Sequence, residues 1–197
     1  DPSLNAKDLI GYCARVSNPE NQMNTETSNK LLSYLKRHQH WSPFEMAHAV
    51  LEVKTTRDIA RQLLRHRSFS FQEFSQRYAE ATEFEHRETR MQDTTNRQNS
   101  IRCSDPVMHI AFSNRQQDII DLAKSGYDWA LSKGIAKEQA RALLPEGLTM
   151  STLYVSGNIR SWMHYVELRS GVETQLEHRE LAIECGKALE PYFPDLF

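Results

Sequence analysis

The stretch Gln62-Leu63-Leu64-Arg65-His66-Arg67-Ser68-Phe69-Ser70-Phe71-Gln72-Glu73-Phe74-Ser75-Gln76-Arg77 gathers most of the chain's chemistry. It holds the guanidiniums of Arg65, Arg67 and Arg77, the His66 imidazole, the Glu73 carboxylate and the hydroxyls of Ser68, Ser70 and Ser75. A planar guanidinium matches the paired oxygens of a phosphate or carboxylate, and Ser75-Gln76-Arg77 adds a hydroxyl and backbone N–H groups within one turn of chain. From Arg57 to Arg102 there are nine arginines (positions 57, 61, 65, 67, 77, 87, 90, 97 and 102) and no lysine. A face serving solubility alone mixes the two cations, so a bound anion is expected here. A solvated face of local ion pairs is the alternative that these residues by themselves leave open. Glu73, acceptor-only when ionised, suits a ribose hydroxyl or a neighbouring arginine. Ser75 is read as a ligand to phosphate or substrate rather than a nucleophile, because nothing in the sequence aims a base at it.

Helices and strands must carry these groups. Arg57, Arg61 and Arg65, four apart, form the polar side of a helix whose apolar positions are Ile59, Ala60, Leu63 and Leu64, with Thr55 expected to cap it. A strand over Ala47–Lys54, where Ala49, Leu51 and Val53 alternate with mostly polar residues, feeds that helix. Leu31, Leu32 and Leu35 predict an earlier helix ending near His38. Ser68–Phe71 reads as an extended loop or short strand, and Glu83–Ser100 as a mobile polar excursion at the surface. Pro106 precedes a long helix that includes Ile119, Ala123, Tyr127 and Ala130 and stops near Gly134. Lys137–Leu144 forms another helix, closed by Pro145. Leu148–Val155 is expected to be a strand, and Asn158 to cap a helix running to Arg169. Thr174-Gln175-Leu176-Glu177 resembles a capping box, opening a last helix with Leu181, Cys185, Ala188 and Leu189 on one face. The sum is an α+β fold with more helix than strand.

Composition narrows the function classes. The 197 residues are 39% hydrophobic and 25% charged, enough for a full core, which excludes a disordered tail protein. No repeat or linker divides the chain, so a single domain over residues 1–197 is expected. A net charge of −2 argues against a protein that coats nucleic acid by bulk attraction. No apolar run approaches the ~18 residues of a membrane helix, and Asp1-Pro2-Ser3-Leu4-Asn5 lacks the order of a signal peptide, so a cytoplasmic location is expected. Cys13, Cys103 and Cys185 are scattered and read as reduced thiols. His38, His40, Glu45 and His48 match no zinc spacing, so no metal is expected. His86, His109 and His178 read as surface or capping residues, and Trp41, Trp129 and Trp162 as core or interface packing.

Arg65-His66-Arg67, seven residues, then Ser75-x-Arg77 resembles the signature of the flavin-dependent thymidylate synthases. Four further segments agree in order and spacing: Ala14-Arg15-Val16-Ser17, His40-Trp41-Ser42-Pro43-Phe44-Glu45, Ala140-Arg141-Ala142-Leu143-Leu144-Pro145, and Asn158-Ile159-Arg160 leading into Glu167-Leu168-Arg169. The resemblance spans nearly the whole chain. It implies a homotetrameric enzyme that converts dUMP to dTMP, with FAD as cofactor and with 5,10-methylenetetrahydrofolate and NADPH as co-substrates. The implied fold is the family's own α+β arrangement, a mainly antiparallel sheet packed against several helices and no Rossmann domain. In keeping with that, no G-x-G-x-x-G follows a predicted strand.

Carried over by position, Ser42, Arg65, His66, Arg67, Glu73, Asn158, Arg160 and His164 resemble flavin-contacting residues. Gln62, Arg65, Glu73, Phe74, Ser75, Gln76, Arg77, Arg141 and Arg169 resemble nucleotide-contacting ones. Arg169 matches the family residue thought to stabilise charge on the pyrimidine, and none of the three cysteines is expected to be a nucleophile. Met46 stands where many relatives have histidine, and Thr174-Gln175-Leu176-Glu177-His178-Arg179 only approximates the usual Ala-Gln-x-Glu-Ile-Arg. The family usually opens with a strand ahead of Ala14, for which residues 1–13 are few, so an N-terminal strand is expected to be lacking here. The rival readings are an NADPH-oxidising flavoprotein without methyl transfer and an RNA- or DNA-binding module using Arg57–Arg102 as a phosphate track.

Overall fold

A computed structural model describes residues 4–81 and 83–197. The reading of the first residues as lacking a signal peptide rests in part on Asp1, Pro2 and Ser3, which lie outside the described residues. The chain divides into two compact units, each discontinuous in sequence. The first takes the chain up to Leu51, His66–Phe71 and Val155–Phe197; the second takes Glu52–Arg65 and Gln72–Tyr154.

In the first unit, α1 (Ala6–Ala14) packs against α2 (Ser28–Arg37), the helix that the Leu31/Leu32/Leu35 spacing predicts. Asn5 caps α1 by accepting from the Asp8 amide at 2.9 Å. A 3-10 turn, Ser42–Glu45, leads to β1 (His48–Thr56), the expected strand beginning one residue later and ending two residues later. Near the C-terminus, α6 (Ile159–Arg169) packs against α7 (Leu176–Leu189) and against the Ser42–Glu45 turn. Asn158 caps α6 as expected, accepting from the Ser161 amide at 2.8 Å. The cap of α7 differs from expectation. Gln175 holds the N-cap position without a side-chain cap bond, and the buried face carries His178, Ala182, Cys185, Gly186 and Leu189 while Ala188 is exposed. The buried stripe therefore starts at His178, with Leu181 only half-buried.

In the second unit, α3 (Arg57–Leu63) buries Ile59, Ala60 and Leu63 as expected, but its cap is Thr56, one residue later than predicted. Thr55 still belongs to the strand and is buried there, and the Thr56 hydroxyl donates to Asp58 Oδ1 at 2.6 Å instead of capping a backbone amide. Arg57 is not on the polar side of α3; it is buried. The short strand β2 (Ser70–Glu73) begins in the first unit and ends in the second. The predicted excursion contains paired structure: β3 (Arg90–Gln92) runs antiparallel to β4 (Ser100–Arg102), with Arg90 opposite Arg102. Asp93 ties the connecting loop by accepting from the Thr95 and Asn96 amides and from the Asn99 side chain.

The long helix α4 (Pro106–Ser132) starts with Pro106 at its first turn and Asp105 as cap, and Gly134 follows at φ +75, a backbone conformation that costs other residues more. Its buried face runs through Gln116, Ile120, Ala123, Tyr127 and Ala130, so Ile120 takes the core position expected of Ile119, which is 50% exposed. α5 (Lys137–Ala140) and a 3-10 turn, Arg141–Leu143, pack on α4 around a core of Ala81, Tyr127, Ala130, Ala140 and Leu144. β5 (Met150–Asn158) follows.

The main sheet has the order β1-β5-β2, and each of its strands runs from one unit into the other. In the first unit the Ile159 amide donates to Ala47 O, and in the second the Arg57 amide donates to Thr149 O, so β1 and β5 are antiparallel. Phe69 against Gly157 and the Phe74 amide on Thr152 O give β2 the same sense. A Cβ on Gly157 would lie 2.3 Å from the Phe69 ring, so only glycine admits that ring. The fold is thus the expected mixture of helix and antiparallel sheet. Among the described residues no helix is long and apolar enough to cross a membrane.

Candidate functional site

Two clusters carry the residues singled out in the sequence, one in each unit. In the first unit, Arg169 closes α6, where a cation also complements the helix dipole. Its Nε donates to His66 Nε2 at 2.9 Å, and it makes no other hydrogen bond among the described residues. His66 sits edge-on to Tyr165, with ring centroids 4.9 Å apart and planes at 87°, and 6.1 Å from His178. His178 is fully buried, which corrects its reading as a surface or capping residue: the register of α7 turns position 178 toward Tyr165. Burial, then the positive charge of Arg169, lowers the pKa of His66; burial, Arg169 and His66 push His178 down to about 4. Burial raises the Tyr165 hydroxyl far above its ordinary value.

Around this cluster, Trp41 meets His164 edge-on at 4.8 Å, and both His164 and Ser42 are exposed. Arg160 is held by the Glu45 carboxylate, so part of its charge is already matched. The Asn158 oxygen is spent on its helix cap, which leaves its amide N–H groups to face a ligand. Arg67 is exposed and makes no ion pair among the described residues. Trp162 is buried and donates to Ala49 O, as core packing requires, whereas Trp129 is 57% exposed on α4 and is not core.

In the second unit, Glu73 is the hub. Its Oε1 lies 3.4 Å from Arg57 and accepts from Ser151 Oγ at 3.0 Å, while its Oε2 accepts from Arg61 at 3.0 Å. Arg57 and Arg61 also approach Glu146. Of the two roles left open for Glu73, the neighbouring arginines occupy the carboxylate here. Beyond β2, Phe74 is partly exposed, and the Ser75 hydroxyl accepts from the Arg77 amide. Gln76 is 3% exposed, and its side-chain N–H₂ is buried without a hydrogen-bond partner among the described residues. Arg77 pairs with Glu138 and Arg141 donates to the Glu138 carbonyl, so this pair of predicted anion ligands meets at one residue. Gln62 is half-buried and engaged, and Arg65 is exposed with no ion pair among the described residues.

The chain matches the family described as thymidylate synthase complementing protein over residues 2–195. It is 49% identical over 192 residues to the probable flavin-dependent thymidylate synthase of Paramecium bursaria Chlorella virus 1, covering 97% of this chain and 88% of that relative. The chain belongs to the flavin-dependent thymidylate synthase family. The flavin-dependent thymidylate synthase of Synechocystis is likewise 49% identical, over 97% of this chain and 87% of its own length. Among solved structures, a UMP/dUMP methylase PolB from Streptomyces cacaoi, bound with 5-Br dUMP, is similar with a TM-score of 0.83 at 28% identity. It covers 96% of this chain and 87% of that one.

For a flavin-dependent thymidylate synthase the donor set fits its groups. The exposed guanidinium of Arg67 suits a pyrophosphate, and Trp41 beside His164 offers an aromatic wall. The buried orphan N–H₂ of Gln76 asks for an acceptor from a ligand. Among the described residues no group of three or more His, Cys, Asp or Glu is placed to hold a metal. The sequence reading missed Glu146 and Ser151 around Glu73 and Tyr165 behind His66; Arg61 it named only within the arginine stripe, and His178 only as a surface or capping residue. Tyr165 had a signal, since it lies four residues before Arg169 and so on the same helix face. His178 was read as a surface or capping residue and as part of a departure from the family pattern, neither of which signals its burial.

Proposed function

We propose that this chain reductively methylates dUMP to dTMP, with 5,10-methylenetetrahydrofolate as carbon donor and NADPH as reductant. We assign it FAD, a cytoplasmic location, a homotetrameric state and one functional domain over residues 1–197. When bound, the flavin supplies the hydride that the pyrimidine or its one-carbon adduct accepts.

The chain's residues do the rest. Gln62, Arg65, Phe74, Ser75, Gln76, Arg77 and Arg141 hold the nucleotide, with guanidiniums and N–H groups on its phosphate. Glu73 keeps Arg57 and Arg61 in place and accepts from the ribose. Ser42, Arg65, His66, Arg67, Glu73, Asn158, Arg160 and His164 line the flavin. Arg169 faces the N3/O2 edge of the uracil, where negative charge develops when the ring is activated; one such donor is worth about 3 kcal/mol of barrier. The observation that carries this reading is the Arg169 guanidinium, held through Nε alone, with both terminal nitrogens left for a planar partner.

The test is direct. Purified protein should be yellow, its flavin absorbance should bleach with NADPH, and dTMP should form once dUMP and the folate are supplied. Bleaching without dTMP would favour the NADPH-oxidising flavoprotein. Colourless protein with steeply salt-dependent affinity for polynucleotide would favour the nucleic-acid module.

A further inference from the structure

Behind Arg169 lies a group of rings of which the reaction as described uses only His66, as a flavin contact. His66 accepts from the guanidinium, and Tyr165, 1% exposed, and His178, fully buried, pack against it. We propose that His66 is the positioning residue for Arg169, acting as a neutral imidazole protonated on Nδ1 and held in plane by the Tyr165 and His178 rings. The inference rests on the reading above that Arg169 meets the pyrimidine.

The chemistry of the bond sets the protonation. A guanidinium N–H only donates, so His66 Nε2 must carry a lone pair and the ring proton must be on Nδ1. With no other hydrogen bond on Arg169 among the described residues, this contact fixes the rotation of the planar group and therefore where its terminal nitrogens point. His66 is in turn confined. Tyr165 stands edge-on at 4.9 Å, His178 at 6.1 Å and 78°, and Phe69 at 6.4 Å.

The charges around His66 make the contact sensitive to acid. From α6 it faces Arg169 and the Tyr165 ring, and from α7 it faces His178; Cys185 of α7 lies beyond, near Tyr165. None of these is a carboxylate, so an imidazolium here would find no counter-charge. Protonation would also turn the acceptor into a donor aimed at another donor. Burial and Arg169 both keep His66 below its ordinary value, which extends the neutral form toward lower pH.

Ring ¹H–¹⁵N spectra of the histidines in the full-length protein, recorded across pH 5–8, test this without activity. His66→Gln and His178→Gln spectra assign the signals. Expected are an Nδ1–H neutral tautomer for His66, a midpoint below 6.5, and a midpoint that rises in Arg169→Gln. An Nε2–H tautomer, or a midpoint unmoved by Arg169→Gln, overturns the proposal.

In parallel, dTMP formation is measured per bound flavin against pH. His66→Leu should lower it by about tenfold to a hundredfold, as misplacing a reacting partner does. His66→Gln, whose carboxamide oxygen accepts but does not protonate, should recover most of that loss and flatten the acid limb. Equal rates and identical pH profiles in the two variants would also overturn the proposal. A wild-type protein that makes no dTMP would instead remove the proposed function, while the ring spectra still decide the role of His66.

Discussion

Arg77 Nε lies 3.2 Å from the Glu138 carboxylate, while Arg141 Nε donates to the carbonyl of the same residue at 3.3 Å. Glu138 therefore holds together two guanidiniums assigned to an anionic substrate, and it competes for one of them. The Arg77–Glu138 pair is half exposed, so the competition is weak. Glu138→Gln is expected to lower the KM for dUMP by about twofold to fivefold, as release of an exposed ion pair worth up to about 1 kcal/mol allows. A raised KM would show that Glu138 orders the two arginines rather than competing for them.

Glu73 binds a far less exposed partner. The Arg57 side chain is 9% exposed and Glu73 18%, whereas Glu146, the other carboxylate on Arg57, is 58% exposed. Glu73→Gln keeps the shape and an acceptor for Ser151 but removes the buried counter-charge. The expected cost is about 3 kcal/mol, or a Tm lower by about 6–12 °C for a chain of this size. Thermal unfolding checks it; an unchanged Tm would mean that Glu146 alone suffices.

How much of this was legible in the sequence depends on the reach of each signal. Local patterns carried α2, β1, α6 and the Asn158 cap, because each is decided by hydrophobic period and one capping side chain. The caps of α3 and α7 came out one residue late. The Thr56 hydroxyl turns to Asp58 instead of a backbone amide, and Gln175 opens α7 without a side-chain cap. The Glu83–Ser100 segment read as polar excursion because strands as short as β3 and β4 leave almost no period. At the site, the arginines were visible by type. Their destinations were not: whether Arg57 turns to Glu73 or Arg77 to Glu138 is decided by residues distant in sequence. The burial of His178 was likewise hidden, since a polar residue on a helix gives no sign of its facing the core.

His178 bears on stability as well as on Arg169. Its folded pKa of about 4 lies below the ordinary 6.5, so the unfolded chain binds the extra proton more readily. The stabilisation is complete above about pH 6.5 and is lost as the pH falls toward 4. Integrated, it is on the order of 3 kcal/mol. His178→Leu should therefore flatten the fall of Tm between pH 6.5 and 4. An equally steep fall in the variant would assign the acid loss to other groups.

The cysteines are expected to stay out of the chemistry. Burial, reinforced by Glu184, pushes the Cys185 thiol up to about 12, so no thiolate forms there at neutral pH. Cys103 is also buried, and only Cys13 is partly accessible. Replacing each by alanine should leave turnover within about tenfold, ~1.4 kcal/mol of barrier. In the native protein a thiol reagent should label Cys13 first. Loss of all turnover in a folded alanine variant would reinstate a cysteine nucleophile.

The most direct measurement is the rate of dTMP formation from dUMP, NADPH and the folate in wild-type protein and in Arg169→Ala, each checked for folding and flavin content. A wild type that forms dTMP, with Arg169→Ala reduced more than about a hundredfold while still folded and flavin-bound, is the expected result. Near-normal turnover in Arg169→Ala would contradict the account.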